Sequence, residues 1–321
     1  MLDVAATPTP PPATALAQGA ALAAAELSEV ERVMADLLGS NLALLTAIGD
    51  HVVSAGGKRL RPLLALLAAR ATGFAGAARL TVAAVGELIH TATLLHDDVV
   101  DGADFRRGRP AARHSFGNGL AVLAGDFFLA RGLQAIAQVG ELAAIHSLAA
   151  TVSAMAEGEI AQLADAGDPT LDRARYYRII EGKTASLLGW CAAVGGLVHP
   201  SAQAPLTAYG RELGFAFQIS DDILDYAADP RITGKPRGQD LRDGKVTLPL
   251  ILACEADPRL AAGIAALLAG APPSLTRRSS GRSTPSPCRA PSKRPPRSPT
   301  PTHAPRSTTS GPSTRPPPAT R

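Results

Sequence analysis

Two stretches of this chain, LLHDDVVD and QISDDILDY, each set three aspartates inside an otherwise apolar helical pattern, 124 residues apart. A carboxylate taken out of water without a partner is very costly, so six of them demand neutralising cations. That demand restricts the chain to folds in which two distant helices meet around one pocket. Helix geometry puts positions i and i+4 on one face, so Asp97 and Asp101 project together, with Asp98 about 100° round from Asp97. Asp221, Asp222 and Asp225 repeat the spacing. Acids at a helix C-terminus are opposed by the macrodipole and by each other, which again calls for a positive partner. An all-oxygen donor set, with no His or Cys at ligand spacing, selects Mg2+, which keeps several waters and bridges carboxylates to substrate phosphates. One such cluster alone is more often a solvated acidic patch; two, both in apolar surroundings, favour the metal reading.

The rest of the chain reads as helix. Ala and Leu dominate and aromatic residues make up only 4%, which favours helices packed closely through small side chains over sandwiches or barrels. An amphipathic pattern begins at ELSEVERVMADLL. Further helices are predicted at about 41–55, 59–72, 77–101, 118–138, 141–165, 172–197, 203–227 and 246–256, separated by Gly and Pro clusters. No alternating strand pattern of useful length occurs, so the fold class is all-α. The polar, Gly- and Pro-rich stretch 228–245 is predicted to be a loop placed to move over a site. Apolar stretches are broken by charges before reaching about 18 residues, so no transmembrane span is predicted.

The formal charge of +4 hides two unlike parts. Residues 274–321 carry ten Lys or Arg, twelve Pro and no Asp or Glu; the remainder holds 22 basic against 28 acidic residues, a net charge of −6. The expected organisation is a disordered lead-in over 1–22, a helical domain over 23–271 and a disordered Pro/Arg/Ser-rich tail over 272–321. The change of character cuts into the apolar pattern LAAGIAALLAG without a capping signal. The tail therefore reads as out-of-frame translation and the helical domain as incomplete at its C-terminal end. A tail that binds nucleic acid or an acidic membrane has the necessary charge but is the weaker reading, and no nucleic-acid partner is expected. Cys191, Cys254 and Cys288 are widely spaced and suggest neither disulfides nor a zinc site. The N-terminus lacks a basic n-region and is interrupted by prolines, so a cytoplasmic protein is predicted.

Basic residues stand where an anion beside the aspartates would need them. GGKRLRP sets Lys58, Arg59 and Arg61 behind Gly56 and Gly57, at a predicted helix start whose free N–H groups also favour anions. DFRRGRP gives Arg106, Arg107 and Arg109 directly after the first cluster, and Lys183, Lys235 and Lys245 follow further on. Singly, each reads as a solvated surface charge, which is the better reading of Arg59 and Arg109. EGKTAS is not a P-loop: Tyr177 stands where the first glycine is required, and no strand precedes it. His90, His96 and His114 form no metal triad with the aspartates, and for His96 packing is at least as good an account as chemistry.

In this order, GGKRLRP, HDDVVDGADFRRGRP, GKT, FQISDDILD and DGKVTLP resemble the motifs of trans-isoprenyl diphosphate synthases, or polyprenyl synthetases, over about residues 26–270. The nearest likeness is to the long-chain octaprenyl to decaprenyl diphosphate synthases that make quinone side chains. The resemblance implies an antiparallel helical bundle around a deep central cavity, the isoprenoid synthase type I fold, commonly as a homodimer. Contact with a membrane is at most peripheral, for product release. The resemblance also implies that Asp97, Asp98, Asp101, Asp221, Asp222 and Asp225 bind the Mg2+ that holds an allylic diphosphate, farnesyl or geranyl diphosphate. Arg106, Lys183, Thr184, Gln218 and Lys235 match positions contacting that same substrate, and Lys58, Arg61, His90 and Arg107 match the isopentenyl diphosphate site. Catalysis would then rest on Asp97, Asp98, Asp101, Lys183, Asp221 and Asp222. Ala92 and Thr93, one turn before the first cluster, would set the floor under the growing chain; neither is aromatic, which predicts a long product. Two other readings compete. A class I terpene cyclase would be expected to carry an Asn/Ser/Glu-type second motif in place of DDILD, and a silent regulatory subunit fits poorly with two complete aspartate sets.

Overall fold

The computed structural model describes residues 12–170, 172–194, 196–228 and 237–270. Helices α1 (Pro12–Leu22), α2 (Ala24–Leu38), α3 (Ala43–Val53), α4 (Leu60–Thr72) and α5 (Ala78–Val100) lead to a small hairpin of β1 (Phe105–Arg106) and β2 (Arg109–Pro110). Then come α6 (Ala112–Phe116), α7 (Asn118–Val139), α8 (Leu142–Ala164) and α9 (Arg173–Ile180), which runs through a π turn (Glu181–Ala185) into α10 (Ser186–Val194). The chain continues with α11 (Pro200–Ala227), α12 (Gln239–Arg242), α13 (Leu248–Ala256) and α14 (Pro258–Gly270). The helical periodicity in the sequence thus places most of the long helices to within a few residues.

Three features depart from the sequence reading. Residues 12–22, expected as a disordered lead-in, form α1: an Ala-rich run starts at Pro12, where a missing N–H costs nothing, and packs on α2 and α4 with Ala20 against the core. The hairpin was not expected. Arg107 and Gly108 both take left-handed φ, +52° and +74°, the conformation of a tight two-residue turn. In the predicted loop, Gln239–Arg242 is helical, while 229–236 lie outside the described residues, as do 1–11 and the predicted tail.

The core is built on α5 and α10. Every residue from Val82 to Ile89 and from Leu187 to Val194 is buried. α5 packs against α4 and α7, and α10 lies among α4, α5, α8 and α11. Small residues allow these close approaches: a Cβ on Gly210 of α11 would come within 2.8 Å of the Gly189 Cα on α10. α5 and α7 are long and apolar enough to cross a membrane by composition, contrary to the sequence reading. α5 is nevertheless a core helix, and α7 packs along it.

Candidate active site

A cavity of about 580 Å3 runs along α5, walled by α7, α8, the π turn and α11. Asp97 and Asp101 from α5 and Asp221 from α11 all line it, so the two clusters meet at one space. Deeper in, Ala92, Thr93, Ile89, Leu129, Val152 and Met155 make an apolar wall. A larger, more open groove of about 830 Å3 between α8, α10 and α11 contains none of the six aspartates. The candidate site is therefore the smaller cavity, where the two clusters meet.

Asp101 Oδ2 accepts from Lys245 Nζ at 3.2 Å, and the remaining three aspartates also hold protein groups. Asp98, 3% exposed, accepts a 2.6 Å charge-assisted bond from the Arg106 Nε on the hairpin. Asp222, 4% exposed, accepts from the Tyr176 hydroxyl at 2.5 Å and from the Gln218 amide at 2.9 Å. Asp225 accepts the backbone N–H groups of Gln239 and Asp240. Burial raises both the Asp98 and the Asp222 carboxyl above the usual range, with these partners opposing the rise. Asp97, which faces the cavity, is pushed up to about 6: burial is the main cause, the Lys183 charge opposes it, and Glu159 and Asp101 add to it.

The π turn places the cavity's central cation. Its backbone lies directly on α8, where a Cβ on Gly158 would sit 2.6 Å from the Lys183 N and a Cβ on Gly182 2.6 Å from the Ala154 O. Only glycine fits on either side. Lys183 is thereby aimed at Glu159, 2.5 Å away, and at the Gln162 carbonyl oxygen, 2.8 Å away. Sequence reasoning missed both partners, although GEIAQL spaces Glu159 and Gln162 three residues apart, on one face of an apolar helix.

The family model for polyprenyl synthetase matches residues 42–274. An octaprenyl diphosphate synthase of Escherichia coli (strain K12) is 45% identical over 233 residues, covering 72% of each chain. An all-trans-nonaprenyl-diphosphate synthase (geranyl-diphosphate specific) of Rhodobacter capsulatus is 39% identical over 235 residues, again 72% of each. Among solved structures, a polyprenyl synthase from Caulobacter crescentus CB15 complexed with calcium and isoprenyl diphosphate superposes with a TM-score of 0.76 at 39% identity, covering 81% of this chain and 80% of that one. The chain belongs to the polyprenyl synthetase family. Its all-α bundle is the isoprenoid synthase fold of these relatives.

Within this polyprenyl synthetase, the remaining basic residues divide into two sets. Arg61 and His90 line the cavity, and Arg61 Nε is buried without a hydrogen-bond partner. Arg107 lies against the Gly57 backbone, where a Cβ would meet its Nη1 at 2.8 Å, and Lys58 stands 5.9 Å over the Phe217 ring of the cavity wall. Burial, then the charges of Arg61, Arg107, Arg106 and Arg59, hold His90 well below the usual imidazole range, so it is neutral at pH 7. This cluster of cations around a neutral imidazole suits an anion.

The second set is structural. Arg59, read from sequence as a solvated surface charge, is 14% exposed and clamps Glu87 (5% exposed) at 3.1 Å, with further bonds to Glu31 and the Val53 carbonyl. Arg109 is exposed and donates to Ser54 Oγ at 3.0 Å. Thr184 donates to the Gln218 oxygen at 2.8 Å, so these two carry on the chain of bonds that ends on Asp222. His96 lines the cavity and meets the Val122 carbonyl at 3.2 Å. Lys235 lies outside the described residues.

Among the described residues, no three His, Cys, Asp or Glu side chains are grouped tightly enough to cage a metal alone. That suits Mg2+, which takes one or two carboxylates, several waters and substrate oxygens. The cavity's own donor set, Asp97, Asp101 and Asp221, is entirely oxygen and fits such an ion.

Proposed function

We propose that this polyprenyl synthetase is a long-chain trans-polyprenyl diphosphate synthase. It adds isopentenyl diphosphate units in sequence to an allylic diphosphate, farnesyl or geranyl diphosphate, with Mg2+ as its metal. One observation carries the reading: Asp97, Asp101 and Asp221 border the same cavity as an apolar wall that continues past Ala92 to Ile89. Ile89 lies eight helical steps before Asp97, a depth of about 12 Å, and among the described residues no Phe, Tyr or Trp lines it from α5.

Mg2+ held by Asp97, Asp101 and Asp221 would neutralise charge building on the diphosphate leaving group. Lys183, which lines the same cavity, would turn from Glu159 and Gln162 to donate to the diphosphate oxygens as the allylic C–O bond breaks. Arg61, Arg107, Lys58 and neutral His90 hold the second diphosphate, so that the isopentenyl double bond lies beside the allylic cation. Ile89, Leu129, Val152 and Met155 keep water from quenching that cation. The new carbon–carbon bond leaves a cation that loses a proton to the released diphosphate, and the allylic product is ready for another cycle.

The product chain suits a quinone side chain made in the cytoplasm. The exposed Leu120, Val122 and Leu123 of α7 suit a contact between two copies of the chain. The test is incubation of the purified full chain with farnesyl diphosphate, labelled isopentenyl diphosphate and Mg2+, followed by chromatography of the products. A ladder ending in chains of eight or more units is expected on the order of the relatives' products. Release of a cyclic hydrocarbon, or no elongation in the presence of metal, would defeat the proposal.

A further inference from the structure

The hairpin of β1 and β2 carries Arg106 and Arg107 on consecutive residues, one toward each diphosphate. Arg106 lines the cavity and its Nε donates to Asp98. Arg107, at the left-handed first position of the turn, lies over the backbone of Gly57, next to Lys58. Any shift of the hairpin is therefore passed to both anion sites together. Packing alone does not fix its place: a cleft of about 30 Å3, lined by His51, Leu95, Asp98, Arg106 and Arg107, lies between the hairpin, α3 and α5.

A second fastening comes from the C-terminal end of α3. His51 Nε2 lies 2.8 Å from the Pro110 carbonyl oxygen. A carbonyl only accepts, so this nitrogen carries the proton and donates. The imidazole also meets the Phe116 ring of α6 edge-on, with centroids 5.5 Å apart and planes at 85°. Ser54, just past α3, accepts from Arg109 Nη1 at 3.0 Å, and Gly57 takes the Arg107 guanidinium. His51, Ser54 and Gly57, spaced three apart, thus meet Pro110, Arg109 and Arg107 in antiparallel order. Along this seam the segment leading to Lys58 and Arg61 is clasped to the hairpin that bears Arg106 and Arg107. Nothing in the sequence singles out His51, whose partner lies 59 residues further on.

We infer that His51 is a positioning residue: by donating to the Pro110 carbonyl it seats the hairpin so that Arg106 and Arg107 meet the two diphosphates at once. This deepens the proposed function and rests on it for the identity of the anions, whereas the clasp itself stands on contacts within the ligand-free protein.

Two substitutions separate donation from bulk. His51→Phe keeps a ring against Phe116 but cannot donate, and His51→Gln loses the ring but brings an amide N–H to the same carbonyl. In the purified full chain, His51→Phe should raise KM for farnesyl diphosphate and for isopentenyl diphosphate together, each on the order of fivefold, the effect of one net hydrogen bond, with a smaller change in kcat. His51→Gln should keep both values near those of the parent. In EDTA and without substrate, amide hydrogen exchange across residues 105–110 should speed up in His51→Phe and not in His51→Gln. Ser54→Ala, which removes the neighbouring contact and leaves the imidazole in place, should move both KM values the same way. Equal behaviour of the two His51 variants, a KM change confined to one substrate, or no effect of Ser54→Ala would overturn the inference. If the parent elongates nothing, the proposed function fails, while amide exchange in the two His51 variants still decides the clasp.

Discussion

Removing one negative charge from the mouth of the cavity should make the metal-free protein more stable, and the size of the gain follows from Asp97. Its carboxyl is raised from 3.8 to about 6. A shift of about 2 units corresponds to about 3 kcal/mol, and residual solvent contact at Asp97 reduces this to about 1–2 kcal/mol. The sign is that of a raised acid: below the unfolded pKa both states are protonated and nothing is lost. As pH rises to about 6 the unfolded chain gives up its proton more readily than the folded one, stability falls, and above about 6 the loss is complete. Asp97→Asn escapes that loss. In EDTA, urea unfolding at pH 8 should show the variant more stable than the parent by about 1–2 kcal/mol, with a smaller gain at pH 5. The parent should then gain more stability from Mg2+ with pyrophosphate than the variant, which keeps Asp101 and Asp221 but has lost one of the three cavity carboxylates. A variant no more stable than its parent at pH 8, or equally stabilised at both pH values, would refute the argument that burial and neighbouring carboxylates strain this side chain.

Other consequences are as direct. Ala92→Phe, or Val152→Phe on the facing wall of α8, should shorten the product, read by chain-length analysis of radiolabelled lipid; an unchanged distribution would mean that the chain grows elsewhere. Lys183→Ala should lower kcat by about 10²–10³, the usual cost of removing one preorganised donor from a developing anion, in steady-state assays at saturating Mg2+. Arg59→Ala leaves the Glu87 carboxylate buried and unpaired, and should destabilise the fold by about 3–5 kcal/mol in urea titrations.

The sequence made the helices legible because a 3.6-residue pattern survives in an Ala- and Leu-rich chain, and it made Asp97 and Asp101 legible as a pair because helix geometry depends only on spacing. It could not reveal which aspartates are already occupied. Arg106, Tyr176 and the α12 amides come from other elements, and their arrival beside Asp98, Asp222 and Asp225 is decided by tertiary packing. The same applies to Arg59: a charge beside two glycines looks solvated until α5 supplies Glu87. α1 was hidden by the prolines before it, and two-residue strands are too short to show alternation.

A helix presents one face to a cavity, and in each motif the aspartates at i and i+4 share a face while the one at i+1 does not. The second residue of each motif points about 100° away. Asp98 there draws in the hairpin through Arg106, and Asp222 draws in α9 through Tyr176, which continues through the π turn to Lys183. Each motif therefore binds twice, once toward the cavity and once toward the element that carries a neighbouring cation. Replacing Asp98 or Asp222 should thus displace Arg106 or the α9 frame even where every cavity-facing carboxylate is intact. The acids at the second position of each motif thus have a task in the free protein that does not depend on facing the cavity.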